Sequence, residues 1–190
     1  MKFAGRTDVS LVREFFRIHK LDESPTHFAQ FFDRYVYWLD HILAHSVGNA
    51  CLGVFEFIHD LQALERPPVL GLLTGNIKLG AEIKLRKFGL WDYFHFGGFA
   101  DDHEDRDHIA LAALERGRRV LGRDLQPSEV VVIGDTPYDV KCGKFIGAKT
   151  LAVATGGSPL DELRKWSPDW LVKDLTQIKM SEIFSGNVLH

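Results

Sequence analysis

The spacing of apolar positions changes near residue 50. Before it, hydrophobic residues recur every three or four positions, the period of an amphipathic helix. "SLVREFFRIHK" places Leu11, Val12, Phe15, Phe16 and Ile18 on one broad stripe, with Asp8 or Ser10 as the N-cap. "SPTHFAQFFDRYVYWLDHILAH" predicts a longer helix: Ser24 caps it, Pro25 takes the first helical position, and Phe28, Phe31, Phe32, Tyr35, Leu39 and Ile42 follow at helical spacing. The aromatic stripe, which also includes Trp38, reads mostly as the core of this helical segment, with part of it left to face a substrate. "SVGNACLG" breaks the pattern.

From about residue 53 short apolar runs alternate with helical patterns. A helix over 54–64 leads through Pro67-Pro68 to a strand in "VLGLLTGN". The helix "LGAEIKLRKFGL", a strand in "YFHFGGFA" and a long helix over 106–120 come next. Then come the strand "SEVVVIGDT", the helix "PYDVKCGKFIG", the strand "KTLAVATGG", a helix starting near Ser158-Pro159 and a last apolar segment, "DWLVKDL". Strands alternating with helices predict an α/β fold: a Rossmann-like, three-layer arrangement with a parallel sheet covered on both faces.

Composition narrows the function classes. The chain has 190 residues, 45% of them hydrophobic, and a net charge of −3, which gives no electrostatic argument for a nucleic-acid or membrane partner. No apolar run approaches the roughly 20 residues of a bilayer span, and "MKFAGRTDVS" has no apolar leader core. Cys51 and Cys142 form no CxxC or CxxH arrangement, so two reduced thiols in a cytoplasmic protein are expected. His41 and His45 have helical metal spacing without a third ligand nearby, and "DDHEDR" matches no calcium loop. G-x-G-x-x-G after a first strand and G-x-S-x-G are both lacking, which argues against a dinucleotide dehydrogenase and a serine hydrolase.

The chemistry sits at strand ends, where open parallel sheets bind ligands. Thr74-Gly75-Asn76 offers a hydroxyl and the amides of a glycine turn, good donors to a phosphate oxygen. Asp135 ends another strand and Asp139 follows in the first turn of a helix opened by Pro137; carboxylates there suit a hard cation such as magnesium. Thr155-Gly156-Gly157 is a glycine turn into a helix N-terminus. The plainer alternative stays open for each: Thr-Gly-Asn is a turn, Asp135 caps the helix and Asp139 complements its dipole.

"LLTGN", "GDTPYDV" and "AVATGG", in this order, resemble the later motifs of the haloacid dehalogenase superfamily, in its phosphoglycolate-phosphatase-like branch. "FAGRTD" and the helices after it resemble that branch's helical cap, and "LGVFEFIHDL" the helix leading back into the core. The resemblance implies a partial cap over 1–48 and a haloacid dehalogenase-like core over 49–190. It further implies a magnesium-dependent phosphomonoesterase acting on a small phosphate ester, phosphoglycolate or a sugar phosphate among the candidates, through an aspartyl-phosphate. Thr74, Gly75 and Asn76 would receive the phosphate, Asp135 would hold Mg2+, and Asp139 would be a ligand or a support for one. The family's bridging Lys is missing; Arg106 is the best-placed cation, ahead of Lys78 and Lys84, unless it merely pairs with Asp102, Glu104 and Asp105.

The family's first motif, a strand ending in Asp-x-Asp-Gly, does not occur near the N-terminus, and Asp8 opens a cap helix and cannot replace it. The expectation is a truncated sequence with an enzyme as its intact parent, inactive as it stands. The missing strand would be central, between those ending in Thr74 and Asp135, so an open slot and self-association are expected. The alternatives are a complete, non-catalytic relative that binds phosphate or a protein, a partner chain that supplies the strand, and a receiver-like or flavodoxin-like signalling module.

Overall fold

The computed structural model describes residues 5–184; Phe3 and Ala4 of "FAGRTD", with the outer ends of the 1–48 and 49–190 segments, lie outside the described residues. The chain runs α1 (Asp8–Ile18), α2 (Pro25–His45), α3 (Val54–Gln62), β1 (Gly71–Leu73), α4 (Lys78–Lys87), β2 (Phe96–Gly98) and α5 (Arg106–Leu121). It continues through β3 (Val131–Gly134), α6 (Pro137–Phe145), β4 (Lys149–Val153), α7 (Leu160–Arg164), β5 (Trp170–Val172) and α8 (Met180–Phe184). This is the expected α/β alternation, and every strand pair is parallel. Contacts divide the chain into two compact units. One is built from residues up to Asn49 together with Leu70–Leu125, the other from Ala50–Val69 and the chain from Gln126 onward.

In the first unit the helix starts follow local chemistry. The N-cap of α1 is Thr7, whose side chain accepts from the Ser10 N–H, and not Asp8 or Ser10 as the sequence suggested. Thr7 has extended backbone while Asp8 is already helical, so only Thr7 can aim its oxygen at the exposed amides. Val12 and Phe16, four apart, are buried, whereas Ile18 is 58% exposed. Two residues past Phe16 is about 200° around a helix, which turns Ile18 off the stripe.

Ser24 and Pro25 open α2 as expected. Its rings form a ladder with α1: Phe16 lies 5.0 Å from Phe28 and edge-on to Phe31 at 5.8 Å. No residue of α2 is fully buried, and Tyr37, Trp38 and Ile42 are exposed, so the stripe is core only over its first half.

The strands of this unit are shorter than the apolar runs that announce them. β1 pairs β2 in register from Gly71↔Phe96 to Leu73↔Gly98. Ladder bonds go one residue further at each end, from His95 N–H to Leu70 O (3.0 Å) and from Thr74 N–H to Gly98 O (3.1 Å). Ile109 and Ala110 of α5 are fully buried. The end of β2 is pinned to α5 by Arg116, which donates to both Asp102 carboxylate oxygens (2.7 and 2.6 Å) and to Gly97 O (2.6 Å). Asp102 also accepts the Phe99 N–H at 2.9 Å.

The second unit holds a three-stranded sheet of order β3-β4-β5. β4 is buried along nearly its whole length, and Val140, Ala152 and Leu163 form a cluster with Ala154 and Leu171 against it. Among the described residues β3 pairs only β4, and its Ile133 is 41% exposed. No described helix is long and apolar enough to cross a membrane.

The Arg116 guanidinium holds the Asp102 carboxyl below its ordinary value, against an opposing push from burial. A group depressed in the fold stabilises it above its unfolded pKa, about 3.9 for Asp, and loses that contribution as pH falls through the lower folded value. Asp102→Asn should therefore cost roughly 1 kcal/mol at pH 7, since the pair is partly solvated. Urea unfolding should show the gap between variant and parent closing below about pH 4.

Candidate active site

In the first unit β1 delivers Thr74 into a tight turn. The Thr74 hydroxyl oxygen accepts the Asn76 N–H at 3.1 Å, a local side-chain-to-backbone turn. Gly75 is buried, and a Cβ there would lie 2.7 Å from Arg6 O and 3.0 Å from Thr7 Cα. Only glycine lets the 5–8 loop lie on the turn. Asp8 completes the contact. Its N–H donates to Gly75 O (2.7 Å), and its carboxylate accepts the Ile77 N–H (2.9 Å) and the Asn76 side-chain amide (3.3 Å). Asn76 Oδ1 in turn accepts from Lys84 Nζ at 3.0 Å. Asp101 receives the Lys78 N–H at 2.5 Å, so two carboxylates serve the start of α4.

Burial dominates the electrostatics of this cluster. It pushes the Asp8 carboxyl up, against the Ile77 amide and Lys84. It pushes Lys84 down, against Asp8. The Tyr35 hydroxyl is pushed up to about 12, first by burial and then by the Asp8 charge, so it presents a neutral OH. Sequence reasoning gave Asp8 no site role and ranked Lys84 behind Arg106. Asp8 and Asn76 are 68 residues apart, and the signal that could have joined them is a Thr-Asp pair at a helix start facing a Gly-Asn turn.

Arg106 is the first residue of α5, with Asp105 as N-cap accepting the Asp107 N–H. The loop before it is tied to α1: Thr7 Oγ1 donates to Glu104 O (2.9 Å) and Arg13 Nε to the Glu104 carboxylate (2.8 Å). Of the acidic neighbours, Asp102 goes to Arg116 and Glu104 to Arg13. Thr74, Gly75, Asn76 and Arg106 all belong to the first unit.

In the second unit β3 ends at Gly134, with Asp135 next. The cap role in α6 falls to Thr136 and Asp139, and not to Asp135 as the plainer alternative had it. The buried Asp139 carboxylate accepts the Thr136 N–H (2.9 Å) and hydroxyl (2.7 Å), closing a capping box. Two glycines make room for these acids. A Cβ on Gly134 would fall on the Asp139 carboxylate, and one on Gly156 on that of Asp135. Asp135, Asp139 and the glycine turn after β4 therefore come together. Among the described residues no group of three His, Cys, Asp or Glu side chains could hold a metal. Asp135 alone fits the share that magnesium takes from protein, one or two carboxylates with the rest water. A cleft of about 580 Å³ opens among Phe16, Leu21, His27, Phe31 and Arg34 and carries none of these site residues.

Residues 108–178 match the model of the HAD-hydrolase-like family. The putative pyrophosphatase PpaX of Clostridium perfringens is 32% identical over 106 residues, covering 54% of this chain and 47% of that protein. A family IA, variant 3 HAD hydrolase from Entamoeba histolytica superposes with a TM-score of 0.72 at 16% identity, over 96% of this chain and 79% of the other. A beta-phosphoglucomutase from Clostridium difficile gives 0.68 at 15% identity, over 97% and 79%. At such identities the two structures speak to fold alone. The chain spans about half the length of curated relatives it matches. The comparisons thus agree with the likeness read from "LLTGN", "GDTPYDV" and "AVATGG": residues 108–178 match the HAD-hydrolase-like family, and the fold is Rossmann-like α/β.

If Asp139 works by closing the α6 cap, Asp139→Ala should destabilise the protein by about 1–2 kcal/mol. The midpoint of urea unfolding measures this. An unchanged midpoint would remove the capping role.

Proposed function

We propose that this chain carries the phosphate- and magnesium-binding groups of a phosphomonoesterase that acts on a small phosphorylated metabolite. The observation that supports it most directly is the pair of strand-end devices. Thr74 presents a hydroxyl on a glycine turn, and Asp135 lies against Gly156 in space that a side chain would fill. Asp135 falls within residues 108–178, which match the HAD-hydrolase-like family, and Thr74 falls in "LLTGN", which resembles an earlier motif of it.

Thr74 Oγ and the amide of Gly75 donate to phosphate oxygens, and Arg106 meets the same anion with a guanidinium suited to bidentate contact. Asp135 would hold magnesium, which when bound would supply charge neutralisation for a phosphate group. Asp139 supports it by fixing the turn that carries Asp135. The nucleophile in this reading is an aspartate in an Asp-x-Asp-Gly motif that the 190 residues do not show, so these residues on their own are expected to bind phosphate without forming an aspartyl-phosphate. The PpaX relatives are pyrophosphatases or putative ones by description, which keeps pyrophosphate beside phosphoglycolate and sugar phosphates as a substrate.

Calorimetric titration with inorganic phosphate should show binding that Thr74→Ala weakens about tenfold or more. A separate magnesium titration should show binding lost in Asp135→Asn. Equal affinities in parent and variant would overturn the respective role. With p-nitrophenyl phosphate and magnesium the 190-residue chain should show no turnover. Turnover that disappears in Asp135→Asn would prove that expectation wrong.

A further inference from the structure

The cluster around Asn76 has a fixed polarity. Its amide nitrogen donates to Asp8 Oδ1 (3.3 Å) while its amide oxygen accepts from Lys84 Nζ (3.0 Å). Flipping the amide would set an NH2 against an ammonium and an oxygen against a carboxylate, so the two charges dictate one orientation. The backbone of the same residue grips Thr74: the Asn76 N–H goes to Thr74 Oγ1 at 3.1 Å. That bond takes one lone pair of the hydroxyl and directs its proton elsewhere, since a hydroxyl has a single donor. Asp8 also fixes the next amide, Ile77 N–H, and its own N–H fixes Gly75 O. Every residue from Gly75 to Ile77 is therefore held by Asp8.

Such an arrangement costs desolvation. Burial pushes Asp8 up and Lys84 down, each toward its neutral form. Apolar side chains of similar volume would pack α1 and α4 here without that cost. What apolar residues could not do is orient an amide. Tyr35 and Asp101 are the other titratable groups near Asp8, and neither bonds to Asn76 in this cluster.

We propose that Asp8 and Lys84 are positioning residues for the phosphate-receiving turn: acting from opposite sides of Asn76, they fix the direction in which Thr74 presents its hydroxyl. The inference rests on the reading of Thr74 as a phosphate ligand, and it makes the start of α1 part of the binding apparatus. A role in packing alone would change stability and leave the affinity of the folded protein untouched.

The test is calorimetric titration of the full chain with inorganic phosphate, alongside thermal unfolding, for Asp8→Asn, Lys84→Met, Lys84→Arg and Thr74→Ala. Asp8→Asn keeps an oxygen for Ile77 but turns an NH2 toward Asn76. Asp8→Asn and Lys84→Met should each weaken phosphate about tenfold. The pair together should be no weaker than the worse single variant, because both act through one amide. Lys84→Arg should recover most of the affinity. Should Lys84→Met not fold, Lys84→Gln carries the same measurement. If Asp8→Asn and Lys84→Met bind like the parent while Thr74→Ala loses phosphate, the positioning role falls and the Thr74 reading stands. If Thr74→Ala binds like the parent, that reading falls and this inference with it.

Discussion

The recurring interaction in this protein is an aspartate carboxylate accepting a backbone N–H where a short element starts or stops. Asp8 takes Ile77, Asp101 takes Lys78, Asp102 takes Phe99, Asp139 takes Thr136 and Asp169 takes Thr150. Strands of three to five residues leave many amides beyond the reach of the ladder, and helix starts add more. A charged acceptor is roughly twice as strong as a neutral one. These bonds set the turns, and the turns set where the polar side chains of the candidate site stand.

That constraint also explains why acids at strand ends are ambiguous in a sequence. "GDTPYD" contains two carboxylates with different occupations. Asp139 is buried and closes a cap; Asp135, four residues earlier, lies half-buried against a bare glycine. Their spacing is the same under either reading, so only geometry separates the support from the candidate ligand. The acidic stretch before α5 divides likewise: Asp102 pairs with Arg116, Glu104 with Arg13, and Asp105 caps the helix.

Much of the architecture was legible because it is local. Pro25 after Ser24 and Pro137 after Thr136 mark helix starts, and apolar runs bounded by Gly-Asn or Gly-Asp mark strands. Strand lengths were not, since pairing depends on a neighbour tens of residues away: Gly71 meets Phe96 and Val131 meets Lys149. The exposure of Trp38 was hidden for a related reason. Helical periodicity tells which residues share a face, but not how far the neighbouring surface extends. The involvement of Asp8 and Lys84 with the Thr74 turn needed the fold itself, because neither residue belongs to a recognisable motif at that turn.

The uneven burial of the tryptophans gives the molecule built-in optical reporters. Trp38 and Trp166 are 55% and 42% exposed and already emit from water, so unfolding changes them little. Trp91 and Trp170 are half-buried, each with a cation over its ring, Arg86 at 5.9 Å and Lys149 at 5.8 Å. One belongs to each compact unit. Their fluorescence can therefore be assigned by replacing one indole at a time, and it distinguishes melting of the Thr74-bearing unit from melting of the Asp135-bearing one.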